Sequence, residues 1–320
     1  MFRALSRPLF RIVPDDTRIP FMKGAVAGLM LSAFLSIASV VLAIYPGMAR
    51  GIDFQGGIVM EVRTQGEADL ARLRSAASAL NLGDVGLQQF GAPDAVLIRL
   101  PVQGDEAGTQ RAVAAMRAAL EEASPGTRVL RVEAVGERVS SELFRGGMIA
   151  LAISLLAMLV YIWFRFEWQF GIAAIITLIL DTTKTIGFLA VTQIEFNLQT
   201  IAAILTIVGF SVNDKVVVFD RMRENLRKFK QMPLRDVVDL SINETLNRSI
   251  GTSATLFLSA LPLALFGGDA LAGFAWTMLF GIVLSTSSSI FITAPLVLYT
   301  GAKSLRPKEV APPPAQAQAT

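Results

Sequence analysis

Five ionisable side chains stand in or beside stretches apolar enough to cross a bilayer. Asp181 and Lys184 lie in residues 168–191, Asp214 and Lys215 in residues 198–219, and Arg248 stands two residues before the stretch 250–266. A charge at membrane depth costs at least ~2.5–3.5 kcal/mol on insertion scales, so residues of this kind call for a partner or a function. The chemistry open to them is proton exchange. Burial raises the proton affinity of a carboxyl group and a nearby guanidinium lowers it, so a buried acid whose partner moves is a proton-driven switch.

Asp214 lies ~15 residues in from the far end of its run, ~23 Å at 1.5 Å per residue, which places it in the inner half of the bilayer. Arg248 falls at a comparable depth. The two suit either a proton switch or a fixed ion pair locking two helices, and the polar neighbours Ser211 and Asn213 favour the switch. Asp181 and Lys184 are three apart and share a helix face. They read first as a self-neutralising pair, and otherwise as the outer end of a polar path leading to Asp214 and Arg248. Lys215 is ~100° round the helix from Asp214, where it is either an internal counter-ion or snorkels toward the interface.

Other polar features read more plainly. GIDFQGG (Gly51, Asp53, Gly56 and Gly57 among its residues) suggests a tight turn with positive φ, with no helix after it to make a phosphate site. Asp220 and Glu224 stand among basic residues and suggest surface ion pairs. Gly146, Gly147, Gly171 and Gly187 suit close helix packing. The STSSS patch at 285–289 could line a polar path or hydrogen-bond between helices.

The elements that must hold these groups follow from composition. The chain of 320 residues is 53% hydrophobic and 17% charged, below the quarter or so of a soluble globular protein. Its apolar residues fall in six runs, 24–45, 146–164, 168–191, 198–219, 250–266 and 271–298, of roughly bilayer-spanning length. The fold class expected is a polytopic α-helical membrane protein with six transmembrane helices. The first run is too long for a signal-peptide core and reads as an uncleaved span. The formal charge of +3 carries no stripe of basic and aromatic residues, so a nucleic-acid surface is not indicated; contact with the lipid membrane is. With neither cysteine nor histidine, disulfides, thiolate or imidazole metal sites and Cys or His catalysis are excluded. No cofactor is indicated.

Residues 46–140 differ in character, with ordinary charge density and alternating apolar patterns. Strands are expected at 58–63, 85–90, 95–100 and 128–135, and helices at 68–80 and 106–123. This β-α-β-β-α-β order is the ferredoxin-like split pattern. Residues 1–23 form a basic amino-terminal segment, residues 146–300 hold the remaining spans, and residues 301–320 are low in complexity and expected to be disordered. Arg165, the basic residues from Arg221 to Arg235 and those after residue 300 fall on one side, whereas 192–197 and 267–270 lack Lys and Arg. By the positive-inside rule both termini are cytoplasmic and the α+β domain is periplasmic. Residues 233–247 suggest an amphipathic segment lying along the inner interface before the fifth span.

Beyond these patterns the chain resembles the SecF family, the smaller of the paired SecD/SecF membrane subunits of bacterial protein export. The resemblance rests on VPDDTRIPFM, GIDFQGG, YIWFRFEW, EFNLQTIAAILTIVGFSVNDKVVVFDRMREN, NETLNRSIGTS and GFAWTMLFGIVLSTSSSIFITAP, and covers nearly all of the chain. It implies a member of the resistance-nodulation-division superfamily in the bacterial inner membrane, pairing with SecD and using the proton-motive force to draw preproteins from SecYEG. YajC and YidC are further partners it implies. The family's intramembrane Asp falls on Asp214 and its Arg on Arg248. The chain departs from the family at Leu180, where His usually precedes Asp181, at Lys184, usually apolar, at Lys215, usually Thr, and at Ser287, often Tyr. The alternatives are a structural subunit of the same complex that moves no protons, and a small-molecule efflux component, which the small outer domain disfavours.

Overall fold

The structure, a computed structural model, describes residues 17–89 and 92–300. The expected disordered tail at 301–320 and residues 1–16 of the basic segment lie outside the described residues, as do Phe90 and Gly91 of the expected second strand and its turn.

Among the described residues six helices are long and apolar enough to cross a membrane. The first, α1 (Ala25–Leu42), ends in a π turn at Ala43–Gly47. A four-residue helix, α2 (Ile52–Gln55), then leads into the α+β domain. Its elements are β1 (Gly57–Arg63), α3 (Leu70–Ala79), β2 (Gly86–Gln89), β3 (Ala95–Leu100), α4 (Glu106–Ala123) and β4 (Arg128–Val135). The sheet is antiparallel in the order β2-β3-β1-β4, the ferredoxin-like arrangement expected. Alternation makes its core: Ile58, Met60 and Val62 of β1 point to one face with Val96, Ile98 and Leu100 of β3. There they meet Leu73 and Ala77 of α3 and Met116 and Leu120 of α4.

The opposite sheet face, with Glu61, Leu97 and Arg99, looks toward the helical bundle. Gly136 alone separates β4 from α5 (Glu137–Arg165), so this helix begins at the domain, nine residues before the apolar run it carries. After α5 come α6 (Trp168–Thr192), α7 (Leu198–Lys228), α8 (Leu234–Phe266) and α9 (Asp269–Ser288). A π turn at Ser289–Thr293 joins α9 to α10 (Ala294–Tyr299), completing the sixth span. The expected interfacial segment at 233–247 is not separate. It is the first half of α8, whose Val237, Val238, Ser241 and Ile242 are buried, so packing carries the helix straight on.

α6, α7 and α9 form the interior, while α1, α5 and α8 expose most of their apolar surface, as lipid-facing helices do. Small residues allow the close contacts: a Cβ at Gly281 would collide with Ile207 of α7, and one at Gly187 with Ser39 of α1. Gly147 is also tight, against Ile201. Among the described residues Gly146 has no neighbour within 4 Å of a Cβ and Gly171 only Ile162 at 4.0 Å, so neither marks a close approach here.

Candidate functional site

Asp181, near the middle of α6, is the centre of a buried ion cluster. Its Oδ2 accepts three donors: Lys215 Nζ at 3.0 Å and Ser211 Oγ at 3.2 Å, both from α7, and Ser288 Oγ at 2.7 Å from the end of α9. Lys215 also donates to Ser211. The other oxygen, Oδ1, has Lys184 Nζ at 3.7 Å and no hydrogen bond among the described residues. All the partners are buried, with side chains of Asp181, Lys184 and Lys215 only 3%, 4% and 1% exposed.

Local structure explains the arrangement. Three residues apart, Asp181 and Lys184 lie over one another on one face of α6. Helical side chains lean toward the amino terminus, so Lys215 reaches back one turn to Ser211 and across to Asp181. At an effective dielectric of about 20, an ion contact of this length is worth roughly 5 kcal/mol, and desolvating each ion costs several kcal/mol. One carboxylate therefore offsets about one buried ammonium, and the cluster holds two lysines.

Asp214 is 4% exposed, and its Oδ2 finds no hydrogen-bond partner among the described residues. Arg248 does not approach it. It lies on the exposed side of α8 with no ion pair among the described residues, above Thr252, Thr255 and Ser259 on the same side. The Asp214–Arg248 pair entertained from the sequence is thus not formed; the residues brought together are Asp181, Lys184 and Lys215. Of the two readings of Lys215, the counter-ion is what the structure contains. Of the two readings of the STSSS patch the structure contains the interhelical hydrogen bonds: Ser288 donates to Asp181 of α6, and Thr286 pairs with Ser253 of α8 at 2.6 Å.

GIDFQGG proves to be the junction between the domain and α7. Gly56 and Gly57 have φ of +72° and +124°, the left-handed conformations expected. Gly51 does not: its φ is −71°, and it is held instead by close approach, a Cβ there falling 2.9 Å from that of Asn197. A helix does follow Gly51, the short α2. Asp53 within it accepts a hydrogen bond from Leu198 N–H at 3.1 Å, at the first turn of α7. Asn197 and Thr200 complete that helix end with a capping box. Phe54 packs between Phe144 of α5 and Phe196, each with ring centroids 5.3 Å away. Gly51 N–H donates to Phe196 carbonyl and Phe196 N–H to Ala49 carbonyl, and Arg99 of β3 pairs with Glu195. Sequence reasoning missed Phe54, Arg99 and Glu195; the carboxylate of Asp53 three residues before two glycines was the available signal.

Six membrane-length helices, a ferredoxin-like domain inserted after the first and an ion cluster among the three inner helices define a polytopic membrane subunit of the transport type. The family described as "Protein export membrane protein SecD/SecF, C-terminal" matches residues 115–303. The chain is 39% identical to "Protein translocase subunit SecF" of Cereibacter sphaeroides, covering 93% of this chain and 94% of that one. It is 42% identical to the protein of that name from Rickettsia akari, covering 90% and 93%. The chain belongs to the SecF family of protein translocase subunits. Among solved structures, SecDF of Thermus thermophilus, a translocon-associated membrane protein, superposes with a TM-score of 0.82 at 32% identity, over 93% of this chain. The super-membrane-facing form of SecDF gives 0.66 at 30% identity. The chain spans 40% of the length of each of those SecDF chains.

Proposed function

We propose that the chain is the SecF partner of a separate SecD subunit in the bacterial inner membrane, and that it couples inward proton flow to movement of its domain in support of preprotein export through SecYEG. The helix ends away from the domain carry Arg165, Arg221, Arg223, Arg227 and Lys228, so by the positive-inside rule that side is cytoplasmic and the domain periplasmic. The proton path is formed by Asp214, Asp181, Lys184 and Lys215, with Arg248 completed from outside the chain. An unpaired Arg facing lipid is costly. The polar face of α8 that carries it, Thr252, Thr255 and Ser259 included, is therefore where SecD docks and supplies an acidic partner. YajC and YidC would join this assembly by way of SecD.

One observation carries the reading: α7 holds ionisable Asp214 and Lys215 in the bundle while its first turn is bonded to the domain through Asp53. A change of charge in the cluster that shifts α7 must therefore move the junction or strain it. The experiment is gradient-driven preprotein export by membrane vesicles containing the SecD-paired complex. Asp181→Asn and Asp214→Asn are each expected to slow it about a hundredfold, the scale of a lost acid–base group, while the complex still assembles. Loss of complex abundance alone would instead favour a structural subunit, and export at the full rate would remove the proton from the mechanism.

A further inference from the structure

The cluster holds one more buried ammonium than its carboxylate can neutralise, and the two lysines are not equivalent. Lys215 hydrogen-bonds both Asp181 Oδ2 and Ser211. Lys184 has a 3.7 Å approach to Oδ1 and no hydrogen bond among the described residues, although its side chain is 4% exposed. As an ammonium it would hold three N–H donors against a single ion contact at 3.7 Å and no hydrogen bond; as an amine it buries a far less demanding group. We infer that Lys184 is the proton-exchanging base of the cluster, resting as the neutral amine and taking up a proton to become the ammonium, whereas Lys215 stays charged as the fixed counter-ion of Asp181.

The surroundings single it out. The charged groups gathered around Lys184 are Asp181 on its own helix and Lys215 on α7, with the buried Asp214 next to Lys215 in the chain. α1 carries no titratable group along its length, α9 none beyond its first residue, and α5 only Tyr161 between Arg145 and Arg165. Uptake of a proton thus changes the triad from neutral to a net charge of +1, beside Asp214. Lys184 also lies one turn nearer the domain than Asp181, at the end of the cluster where a proton would arrive under the proposed direction of flow. Only an N–H bond forms and breaks, and water supplies and receives the proton.

This inference rests on the proton-coupling reading for its purpose, but not for its test. Nitrogen-15 NMR of lysine-labelled protein, in bilayers with its SecD partner, distinguishes amine from ammonium directly. Wild type should show one amine resonance near neutral pH that is absent from both Lys184→Met and Lys184→Arg. Only ammonium resonances in wild type, or an amine resonance that survives both substitutions, would overturn it. In gradient-driven export Lys184→Arg, which keeps the charge but cannot release it, should be about a hundredfold slower. Export at the wild-type rate in that variant alone, with Asp181→Asn still impaired, would also overturn it. Were Asp181→Asn equally harmless, the coupling reading itself would fall and the resonance would still decide the state of Lys184.

Discussion

Asp181 and Asp220 are both paired with a basic side chain on a neighbouring helix, at 3.0 Å to Lys215 and 2.9 Å to Arg165. The distances scarcely differ; the settings do. Asp181 and Lys215 are 3% and 1% exposed, Asp220 and Arg165 44% and 42%. Around Asp220 the pairs multiply without tension: Arg221 bonds Glu224 and Glu244, Arg223 bonds Glu167, and water and counter-ions absorb any imbalance. Around Asp181 bulk solvent does not absorb it, so the protonation of the buried groups themselves must, and any change in their charge must be felt by the helices. The same residue types serve as interchangeable surface chemistry at one end of the bundle and as a stored constraint in its middle.

The sharpest way to break this contrast is to delete each aspartate. Asp181→Ala leaves the buried Lys215 ammonium without its anion and should cost about 3–5 kcal/mol in unfolding of the complex by denaturant. Arg165→Ala, which opens the exposed pair, should cost less than about 1 kcal/mol in the same measurement. Equal losses would mean that water reaches Asp181 and that the cluster is not dry.

Next in size is the junction. Asp53→Ala removes a charge-assisted bond to the amino end of α7 and should cost about 1–2 kcal/mol, read as faster hydrogen exchange at Leu198 and its neighbours. The domain's own sheet amides should keep their protection, since its core does not involve Asp53. Protection lost in both places would show that the domain and bundle unfold as one unit.

A smaller effect sharpens the account of the cluster from inside. Lys215→Met leaves Asp181 facing Lys184, a balanced pair, and keeps the volume filled, so its stability should stay within about 1 kcal/mol of wild type. A loss as large as that from Asp181→Ala would mean that Lys184 cannot take over as counter-ion.

The difference between those groups also marks what the sequence made legible. Six spans and the ferredoxin-like order could be read because apolar run length and strand alternation are local properties. Asp181, Lys184 and Lys215 could be singled out one by one, because a charge inside an apolar run is conspicuous wherever it falls. That they share one carboxylate could not, because the contact joins α6 to α7 across 34 residues and to α9 across 107. Asp214 and Arg248 stand out in the sequence for the same reason: depth along a helix can be counted, but facing cannot, and Arg248 turns outward. GIDFQGG showed its glycines and hid Asp53 and Phe54, whose partners lie beyond a whole domain in sequence.

The smallest effect belongs to a carboxylate intermediate between the two settings. Glu195 sits between α6 and α7, 30% exposed and paired with Arg99. Burial pushes its carboxyl above the ordinary glutamate value of 4.5, and the Arg99 guanidinium only partly opposes that. Because the folded form holds its proton more tightly than the unfolded chain does, the contribution of protonation is fully present below the ordinary value and is lost as pH rises through the raised one. Junction stability should therefore increase slightly on acidification from neutral pH. Glu195→Gln should flatten that slope in melts of the complex across the same range. A wild-type slope of the opposite sign, absent from the variant, would mean that the pair with Arg99 outweighs burial there. The junction would then behave like the exposed rim around Asp220, and the contrast between wet and dry ion pairs would begin inside the bundle rather than at its mouth.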